Sequence, residues 1–443
     1  MRNLSMNIQE LYAFYKQHPV VTTDSRDCPE GSIFIALRGE SFDGNKFAVQ
    51  ALQKGCVMAV IDDEQVYNDY LAQPIEGKTM VLVPNSLQAF KDLAREHRRQ
   101  FSIPVVGITG TNGKTTTKEL VRTVLAQKFN VMATEGNFNN DVGVPKTLLR
   151  LSPQHDIAVV EMGASHPGDI KTLAETAEPT CGLITNVGKA HLQGFGSLQG
   201  VINTKGELYD NLASRDGSVV FVNADNEHLM GILPHGVETV TYSQQQDAAV
   251  MGEIVACDPL LRLRWKSEDD EWHEVATHLI GSYNLDNVLA AVTVGLHFGV
   301  DPVAISEAIA GYVPQNNRSQ LTETGRNHLI VDAYNANPTS MAAAIDNFSL
   351  MQVSPKMAIL GDMRELGDSS HIEHVAVVEK LKQCHFDKVW LVGSEFEAVD
   401  CSFRKFSNAD EVKAALTEQH IDGYYILIKG SNGIRLFQLP EVL

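Results

Sequence analysis

The chain has 443 residues, of which 44% are hydrophobic and 21% charged, and its formal net charge is -19. This length predicts two or three domains, and the composition excludes a disordered chain. The acidic balance excludes binding of nucleic acid through a general basic field. We expect no membrane span, since no apolar run is long enough to cross a bilayer. The start has no signal-peptide pattern and the six cysteines form no CxxC pair, which is typical of a cytoplasmic protein with reduced thiols.

The first predicted domain covers residues 1–100 and begins with a helical segment. Short apolar runs separated by turns predict strands at 33–37, 57–61 and 80–83. Apolar residues at helical spacing predict a closing helix over 86–100, with Ser86 as its expected N-cap. The following Ile103-Pro104 pair indicates a domain boundary.

The second and third predicted domains, at 101–312 and 313–443, alternate apolar runs with helical segments. The runs lie at 105–108, 157–160, 183–185 and 219–222, and then at 329–331, 357–360, 389–392 and 425–428. Continuous apolar runs are typical of strands that are buried on both faces, and the alternation with helices predicts parallel sheets. The fold class is therefore α/β, with a parallel-sheet central domain and a Rossmann-like C-terminal domain.

The strongest motif is GITGTNGKTTTKE at 107–119, which follows an apolar strand and precedes a helix-forming segment. That context is typical of a phosphate-binding loop, in which glycines turn backbone N–H groups toward an anion. The ammonium of Lys114 would contact the β- and γ-phosphates and offset their negative charge, and the hydroxyl of Thr115 would bind Mg²⁺. The glycine spacing departs from GxxxxGK[ST], and the alternative is a glycine-rich turn without a ligand. The predicted phosphate contacts are Gly110, Thr111, Asn112, Gly113, Lys114, Thr115 and Thr116.

Polar residues also follow the next predicted strands. Glu161 ends the run at 157–160 and is a candidate metal ligand, although it could instead cap the following helix. His191 follows the strand at 183–185; its alternatives are a metal ligand and a structural hydrogen-bonding residue. Composition alone does not distinguish Lys205 from an ordinary surface lysine.

Two later segments favour binding roles. Asn284 and Asn287 begin a helix and could contact the edge of an adenine base, because a carboxamide both donates and accepts; the alternative is helix capping. Tyr334, Asn335 and Asn337 follow the strand at 329–331 and predict a binding loop, with a plain turn as the alternative.

These motifs together resemble the Mur ligase family, the ATP-dependent amide ligases of peptidoglycan precursor synthesis. The similarity covers almost the whole chain and is carried by TTDSRDCPEGSIFIALRGESFDG (22–44), GITGTNGKTTTKE (107–119), NFNNDVGVP (137–145), EMGASHPGDI (161–170), ITNVGKAHLQGFGS (184–197), KGELY (205–209), GSYNLDNVLAA (281–291), DAYNANPTSM (332–341), LGDMRELG (360–367) and KGSN (429–432). Within the family, YNANP and LGDMRELG resemble the type that adds D-alanyl-D-alanine. Asn432, Asn45, Ser165 and Val331 depart from the family pattern.

The resemblance implies three domains: a UDP-substrate domain, a central ATPase domain with a P-loop, and a C-terminal ligase domain. It implies that a monomer uses ATP and Mg²⁺ to join D-alanyl-D-alanine to UDP-N-acetylmuramoyl-tripeptide through an acyl phosphate. The implied metal ligands are Thr115, Glu161, His191 and Lys205, the last as a carbamate. The implied nucleotide contacts are Asn284, Asn287, Arg318 and Asp332. The implied UDP-substrate contacts are Asp24, Ser25, Arg26, Asn139 and Asn140, and the implied dipeptide contacts are Tyr334, Asn335 and Asn337.

Three other functions remain open from sequence. A sister ligase would add another amino acid or a glutamate tail. A P-loop ATPase or kinase would transfer phosphate without forming an amide. A nucleotide-binding module without turnover is the third, and the intact Lys114, Thr115, Glu161 and His191 argue against it.

Overall fold

The computed structural model describes residues 6–39, 41–268, 271–314 and 320–443. They form three consecutive α/β units, each built on a sheet with parallel strands. Among these residues, no helix combines the length and the apolar character that a membrane crossing requires.

The first unit carries a parallel sheet in the order β1-β2-β5-β6, with β3 and β4 as a separate antiparallel pair. Its strands are β1 (Val21–Thr22), β2 (Ile33–Ile35), β3 (Arg38–Gly39), β4 (Phe42–Asp43), β5 (Met58–Ile61) and β6 (Thr79–Leu82). Its helices are α1 (Ile8–Gln17), α2 (Ala48–Lys54), α3 (Glu64–Ala72) and α4 (Ser86–Arg98), and a 3₁₀ turn spans Gly44–Phe47. The predicted strands and the closing helix are confirmed, with small shifts at their ends.

The expected N-cap of α4 is wrong. Asn85 is the cap, and its side chain accepts from the backbone N–H of Gln88 at 2.8 Å. Ser86 is the first helical residue, and its backbone N–H donates to the carboxylate of Asp62 at 3.1 Å. Asn and Ser are both good caps, so this contact with the end of β5 decides which of them takes the position.

The central unit holds a large sheet in the order β15-β14-β13-β12-β11-β10-β7-β9-β8. Its strands are β7 (Val105–Thr109), β8 (Val131–Ala133), β9 (Ile157–Glu161), β10 (Cys181–Ile184), β11 (Val219–Asn223), β12 (Glu238–Ser243), β13 (Val250–Cys257), β14 (Leu260–Ser267) and β15 (His273–Ile280). Its helices are α5 (Lys114–Leu125), α6 (Gly143–Leu148), α7 (Asp169–Ala177), α8 (Leu192–Phe195), α9 (Leu198–Ala213), α10 (Glu227–Gly231), α11 (Asn284–His297) and α12 (Pro302–Gly311). β10, β7 and β9 are parallel neighbours, so their carboxyl ends meet at one edge. This edge is where parallel α/β sheets bind ligands.

The sequence reading missed the antiparallel extension β13-β14-β15. Along β14, Leu261, Leu263 and Trp265 are fully buried. The intervening Arg262 and Arg264 lie outward and pair with glutamates of the neighbouring strands. This alternation has the period of 2 that is typical of a strand with one solvated face. A search for continuous apolar runs passes over such strands.

The C-terminal unit has a sheet in the order β16-β17-β21-β18-β19-β20, parallel except for the edge strand β16. Its strands are β16 (Gln320–Glu323), β17 (His328–Asp332), β18 (Lys356–Gly361), β19 (Lys388–Val392), β20 (Arg404–Phe406) and β21 (Tyr425–Lys429). Its helices are α13 (Pro338–Leu350), α14 (Ser370–Gln383), α15 (Ser394–Glu397) and α16 (Ala409–Gln419), with 3₁₀ turns at Gly367–Ser369, Asn432–Ile434 and Leu436–Val442. The Rossmann-like prediction is confirmed.

Candidate functional site

A cleft of about 1170 Å³ lies at the carboxyl ends of β7, β9 and β10, where all three units meet. It faces the carboxyl ends of β17 and β21 in the C-terminal unit. Most of the predicted site residues line it: Thr111, Asn112, Gly113, Lys114, Thr116, Asn139, Asn140, Glu161, His191, Asn284, Asn287, Asp332, Tyr334, Asn335 and Asn337. The fold thus brings together residues that are more than 200 positions apart in sequence.

The glycine-rich loop connects β7 to α5, as the motif predicts. Gly110 has φ +145°, and a Cβ there would lie 2.0 Å from the hydroxyl of Thr185. Gly113 has φ +77° and precedes α5; a Cβ there would lie 2.6 Å from Oδ1 of Asn287. Both positions therefore require glycine, for the backbone angle and for the space.

Side chains from the neighbouring strand end hold this loop. The backbone N–H of Thr111 donates to the carbonyl oxygen of Asn186 at 2.9 Å. The backbone N–H of Asn112 donates to the side-chain Oδ1 of Asn186, also at 2.9 Å. The ammonium of Lys114 donates to the carbonyl oxygens of Gly110 and Thr111 at 2.8 and 3.1 Å. The loop therefore has a fixed shape, with a lysine at the start of a helix whose dipole favours an anion.

Thr115 and Glu161 form a buried oxygen pair beneath the loop. The hydroxyl of Thr115 donates to both carboxylate oxygens of Glu161, at 3.1 and 2.9 Å. Asn139 donates to the same carboxylate at 2.7 Å, and the backbone N–H of Glu161 donates to Thr134 at 3.0 Å. A hydroxyl and a carboxylate at this distance, with one face on the cleft, suit a hard cation that also binds phosphate oxygens.

His191 meets the C-terminal unit. It has φ +49°, and its Nδ1 lies 2.5 Å from a carboxylate oxygen of Glu365, which also has a positive φ of +63°. The hydrogen bond from His191 holds the pKa of Glu365 below its ordinary value. Sequence reasoning missed the role of Glu365, although it belongs to the LGDMRELG motif. The pair joins the central and C-terminal units across the cleft.

Lys205 lies on α9 and is 2% exposed, so it is not a surface lysine. Burial, with the nearby positive charge of Lys114, lowers the pKa of Lys205 to about 7. Its ammonium nitrogen lies 5.4 Å from the ring centre of Phe195. Lys205 is not among the residues that line the cleft, and with a pKa of about 7 part of its amine is neutral at physiological pH.

Asn284 and Asn287 are buried at the start of α11. Asn287 accepts from the hydroxyl of Thr117 at 3.0 Å and donates to Oδ1 of Asn284 at 2.8 Å, and Asn284 donates to the carbonyl of Ile280. Much of their hydrogen-bonding capacity is thus used inside the protein, where it holds α11 against the start of α5. Their contact with adenine stays a prediction.

The loop after β17 provides the opposite wall of the cleft. The buried ammonium of Lys429 donates to Asp332 at 2.6 Å and to the carbonyl of Asn335 at 3.3 Å. Asn337 caps α13 and donates from Nδ2 to Oδ1 of Asn112 at 2.8 Å. This bond joins the predicted dipeptide loop directly to the phosphate-binding loop.

Other predicted residues lie elsewhere. Asp24 and Arg26 form an exposed ion pair of 2.7 Å in the first unit, and the carbonyl of the buried Ser25 accepts from Lys54 at 2.8 Å. The guanidinium of Arg26 lowers the pKa of Asp24 well below its ordinary value. These residues do not line the described part of the cleft. Arg318 lies outside the described residues.

Three models of the Mur ligase family match the chain. They are described as the catalytic domain at 19–98, the middle domain at 108–295 and the glutamate ligase domain at 317–432. The chain is 33% identical to the UDP-N-acetylmuramoyl-tripeptide–D-alanyl-D-alanine ligase of Bacillus subtilis, over 96% of this chain and 92% of that protein. It is 34% identical to the ligase of the same name from a Synechocystis strain, over 94% and 90%.

Solved structures agree with these relatives. MurF from Acinetobacter baumannii superposes with a TM-score of 0.85 at 28% identity, covering 95% of this chain and 92% of that chain. MurF ligase from Thermotoga maritima, solved in complex with ADP, superposes with a TM-score of 0.84 at 26% identity, covering 96% of each chain. The chain belongs to the Mur ligase family.

Proposed function

We propose that this protein joins D-alanyl-D-alanine to UDP-N-acetylmuramoyl-tripeptide in peptidoglycan precursor synthesis, with ATP as the energy source. The observation that carries this function is the cleft, where a phosphate-binding loop, a buried Thr115–Glu161 pair and the YNANP loop meet. Full-length relatives named for this reaction support the same activity. The chain is thus an ATP-dependent carboxylate–amine ligase.

The reaction needs ATP because a carboxylate is negatively charged and has a poor leaving group. The peptide carboxylate attacks the γ-phosphorus in line, which yields an acyl phosphate and ADP. The amine of D-alanyl-D-alanine then attacks the acyl carbon, and phosphate leaves. Lys114 and the N–H groups at the start of α5 would hold the triphosphate, while Asn337 and Tyr334 of the other wall would position the dipeptide. Closure of the two walls on the bound substrates would exclude water, which would otherwise hydrolyse the acyl phosphate.

The donors of the cleft fit Mg²⁺. Within the described residues no group of three or more His, Cys, Asp or Glu side chains could hold a metal ion. Mg²⁺ does not need one, since it commonly binds through one or two carboxylates with waters and substrate phosphates. Thr115 and Glu161 would hold one ion, and His191 and Lys205 a second. Bound there, the metal would neutralise charge on the transferring phosphoryl group.

Lys205 would take part as a carbamate. Only a neutral amine reacts with CO₂, and burial lowers the pKa of Lys205 to about 7. An ammonium at this position would repel both a metal ion and Lys114, whereas a carbamate presents anionic oxygens. The low pKa supports this modification.

The substrate contacts of the other units are part of the proposal. Asn284, Asn287, Asp332 and Arg318 would contact the nucleotide, and Asn139 and Asn140 the acceptor peptide. Asp24, Ser25 and Arg26 would contact the UDP end, and Asn335 the dipeptide. One Acinetobacter baumannii structure is named for a UDP-N-acetylmuramoylalanyl-D-glutamyl-2,6-diaminopimelate substrate. We propose an acceptor of that kind here, with diaminopimelate or lysine as its third residue.

We further propose domain limits at 1–100, 101–312 and 313–443, a monomer, and a cytoplasmic location. The first limit falls between α4 and β7, and the second between α12 and β16. Light scattering of the purified protein tests the monomer.

An ADP-release assay with UDP-N-acetylmuramoyl-tripeptide, with and without D-alanyl-D-alanine, tests the function. We expect ADP release that depends on both substrates and a product whose mass shows the new amide. Replacing the dipeptide by single amino acids or by glutamate separates this ligase from its sister enzymes. ADP release without an amide would favour a kinase or ATPase instead.

A further inference from the structure

Lys91 lines the cleft although it belongs to the first unit. It lies on α4, and among the described residues before position 100 no other lines the cleft. Its side chain is only 12% exposed, so most of its stem is covered while the residue still faces the cleft. No sequence pattern pointed to it.

The helix that carries Lys91 is fixed to the central unit. The buried His97 ring contacts the carbonyl of Leu151 at 3.0 Å, and Arg98 donates to the carbonyl of Ala177 at 3.2 Å. Arg99 pairs with Glu178 at 2.6 Å. Because these anchors begin six residues after Lys91 on one continuous helix, they fix its backbone relative to the cleft.

Lys91 is connected to the Glu161 end of the cleft through one short segment of the central unit. Its ammonium is 3.8 Å from the carboxylate of Asp141, while Asn139 donates to Glu161 at 2.7 Å. Asn139 and Asp141 are two residues apart, so their Cα atoms are at most about 7.6 Å apart. The short segment 139–141 therefore links Lys91 to Glu161, and both residues line the same cleft.

Three lysines line the described part of the cleft, and they differ in their surroundings. Lys114 belongs to the phosphate-binding loop, and Lys429 donates to Asp332 at 2.6 Å. The 3.8 Å pair between Lys91 and Asp141 is longer than a charge-assisted hydrogen bond, and the side chain of Asp141 is 47% exposed. A bound anion with better geometry can therefore replace Asp141 as the partner of Lys91.

The proposed acceptor provides that anion, and the inference rests on the proposed function. A glutamyl residue in a peptide keeps one free carboxylate, and diaminopimelate keeps a second after its reacting carboxyl is used. In a chain of net charge -19, such groups need local cations. We propose that Lys91 is a specificity residue that binds a non-reacting carboxylate of the acceptor peptide.

Steady-state kinetics of Lys91→Ala test this. We expect the KM for UDP-N-acetylmuramoyl-tripeptide to rise about tenfold, which corresponds to about 1.4 kcal/mol of lost binding. The kcat and the KM for ATP should stay within about twofold, and Lys91→Arg should restore most of the affinity. Calorimetric binding of the acceptor to each variant checks the result without turnover, and the unfolding midpoint shows that Lys91→Ala is folded.

Asp141→Asn is the matched control, because it breaks the same ion pair but keeps the cation. We expect an unchanged or lower KM for the acceptor in this variant. Equal increases of the acceptor KM in Lys91→Ala and Asp141→Asn, or an unchanged acceptor KM in Lys91→Ala, would overturn the proposal.

The third residue of the acceptor identifies the carboxylate that Lys91 binds. If Lys91→Ala raises the KM more for the diaminopimelate acceptor than for the lysine acceptor, Lys91 binds the diaminopimelate carboxylate; equal increases assign the glutamyl carboxylate. A wild-type protein that forms no amide at all refutes the proposed function itself.

Discussion

The two walls of the cleft are both carboxyl edges of parallel sheets, yet they begin their helices differently. In the central unit the N-cap of α5 is Gly113, and within the described residues no side chain caps this helix. In the C-terminal unit the N-cap of α13 is Asn337, whose side chain accepts from the backbone N–H of Ser340 at 2.9 Å, and Pro338 is the first helical residue. The first helix leaves N–H groups for a ligand, whereas the second satisfies them internally.

The lysines of the two walls show the same difference. Lys114 belongs to the glycine-rich loop before α5, whereas Lys429 is buried in an ion pair with Asp332. Parallel strands therefore position both edges, but only the edge with glycines and an uncapped helix is suited to phosphate. The other edge is suited to holding a loop against it.

The largest expected effect comes from removing the cation of the central edge. Lys114→Ala should lower turnover about 1000-fold or more, because the transferring phosphoryl loses its charge neutralisation. The unfolding midpoint should change little. Phosphate release under saturating substrates measures the first effect, and thermal unfolding the second. Near wild-type release would refute the loop assignment.

Lys429→Ala is the matched change on the other wall. It leaves the carboxylate of Asp332 without its partner at 2.6 Å, which should lower the free energy of unfolding by about 3 kcal/mol. A stable Lys429→Ala protein would show that the two lysines do not differ as described.

Lys205→Ala should lower turnover about 100-fold, because the proposed carbamate oxygens are lost. Small carboxylates added to the assay should restore part of the activity. Full activity of the variant without them would exclude the carbamate.

The pH dependence of the wild type sharpens this test. With the pKa of Lys205 lowered to about 7, protonation increases as pH falls through 7, and the ammonium does not react with CO₂. Protein depleted of bicarbonate should therefore regain activity on bicarbonate addition at pH 8 but much less at pH 6. Equal recovery at both pH values contradicts the mechanism.

A smaller effect is expected from Gly113→Ala. Its Cβ would lie 2.6 Å from Asn287 and its φ is +77°, so the loop must shift and the ATP dissociation constant should rise about tenfold. Gly136→Ala is the control: φ is +52°, but no atom lies within 4 Å of the added Cβ. It should cost about 1 kcal/mol of stability without weakening ATP binding. Calorimetry and urea unfolding separate the two effects, and equal ATP affinities would show that the contact with Asn287 is unimportant.

The smallest effect is expected at the bond between the walls. Asn337→Asp keeps a capping oxygen for α13 but removes the donor to Asn112, and should lower kcat about threefold with little loss of stability. Asn337→Ala removes both contacts and should also cost about 1 kcal/mol of unfolding free energy. An unchanged kcat in both variants would show that the bond between the loops does not assist catalysis.

Local patterns were enough to predict much of this protein. The apolar runs predicted the buried parallel strands, and GITGTNGKTTTKE predicted a glycine-rich loop between a strand and a helix, which the structure has between β7 and α5. These features depend on residues that are adjacent in the sequence, so the sequence alone predicts them. The strands β13, β14 and β15 were missed because their alternating pattern differs from that of a buried strand.

The partners across the cleft could not be predicted. Lys91 belongs to the first unit, whereas Glu365 and Lys429 belong to the C-terminal unit, and nothing in their local sequence states what they face. The burial that lowers the pKa of Lys205 is likewise a property of packing.

The sequence by itself determined the α/β class, the glycine-rich loop before α5 and the family, because backbone angles and apolar periodicity are local. Only the tertiary structure decided that Glu365 meets His191, that Asn337 meets Asn112 and that Lys91 reaches the cleft. Such contacts depend on how three sheets pack against one another, and packing joins residues that are far apart along the chain.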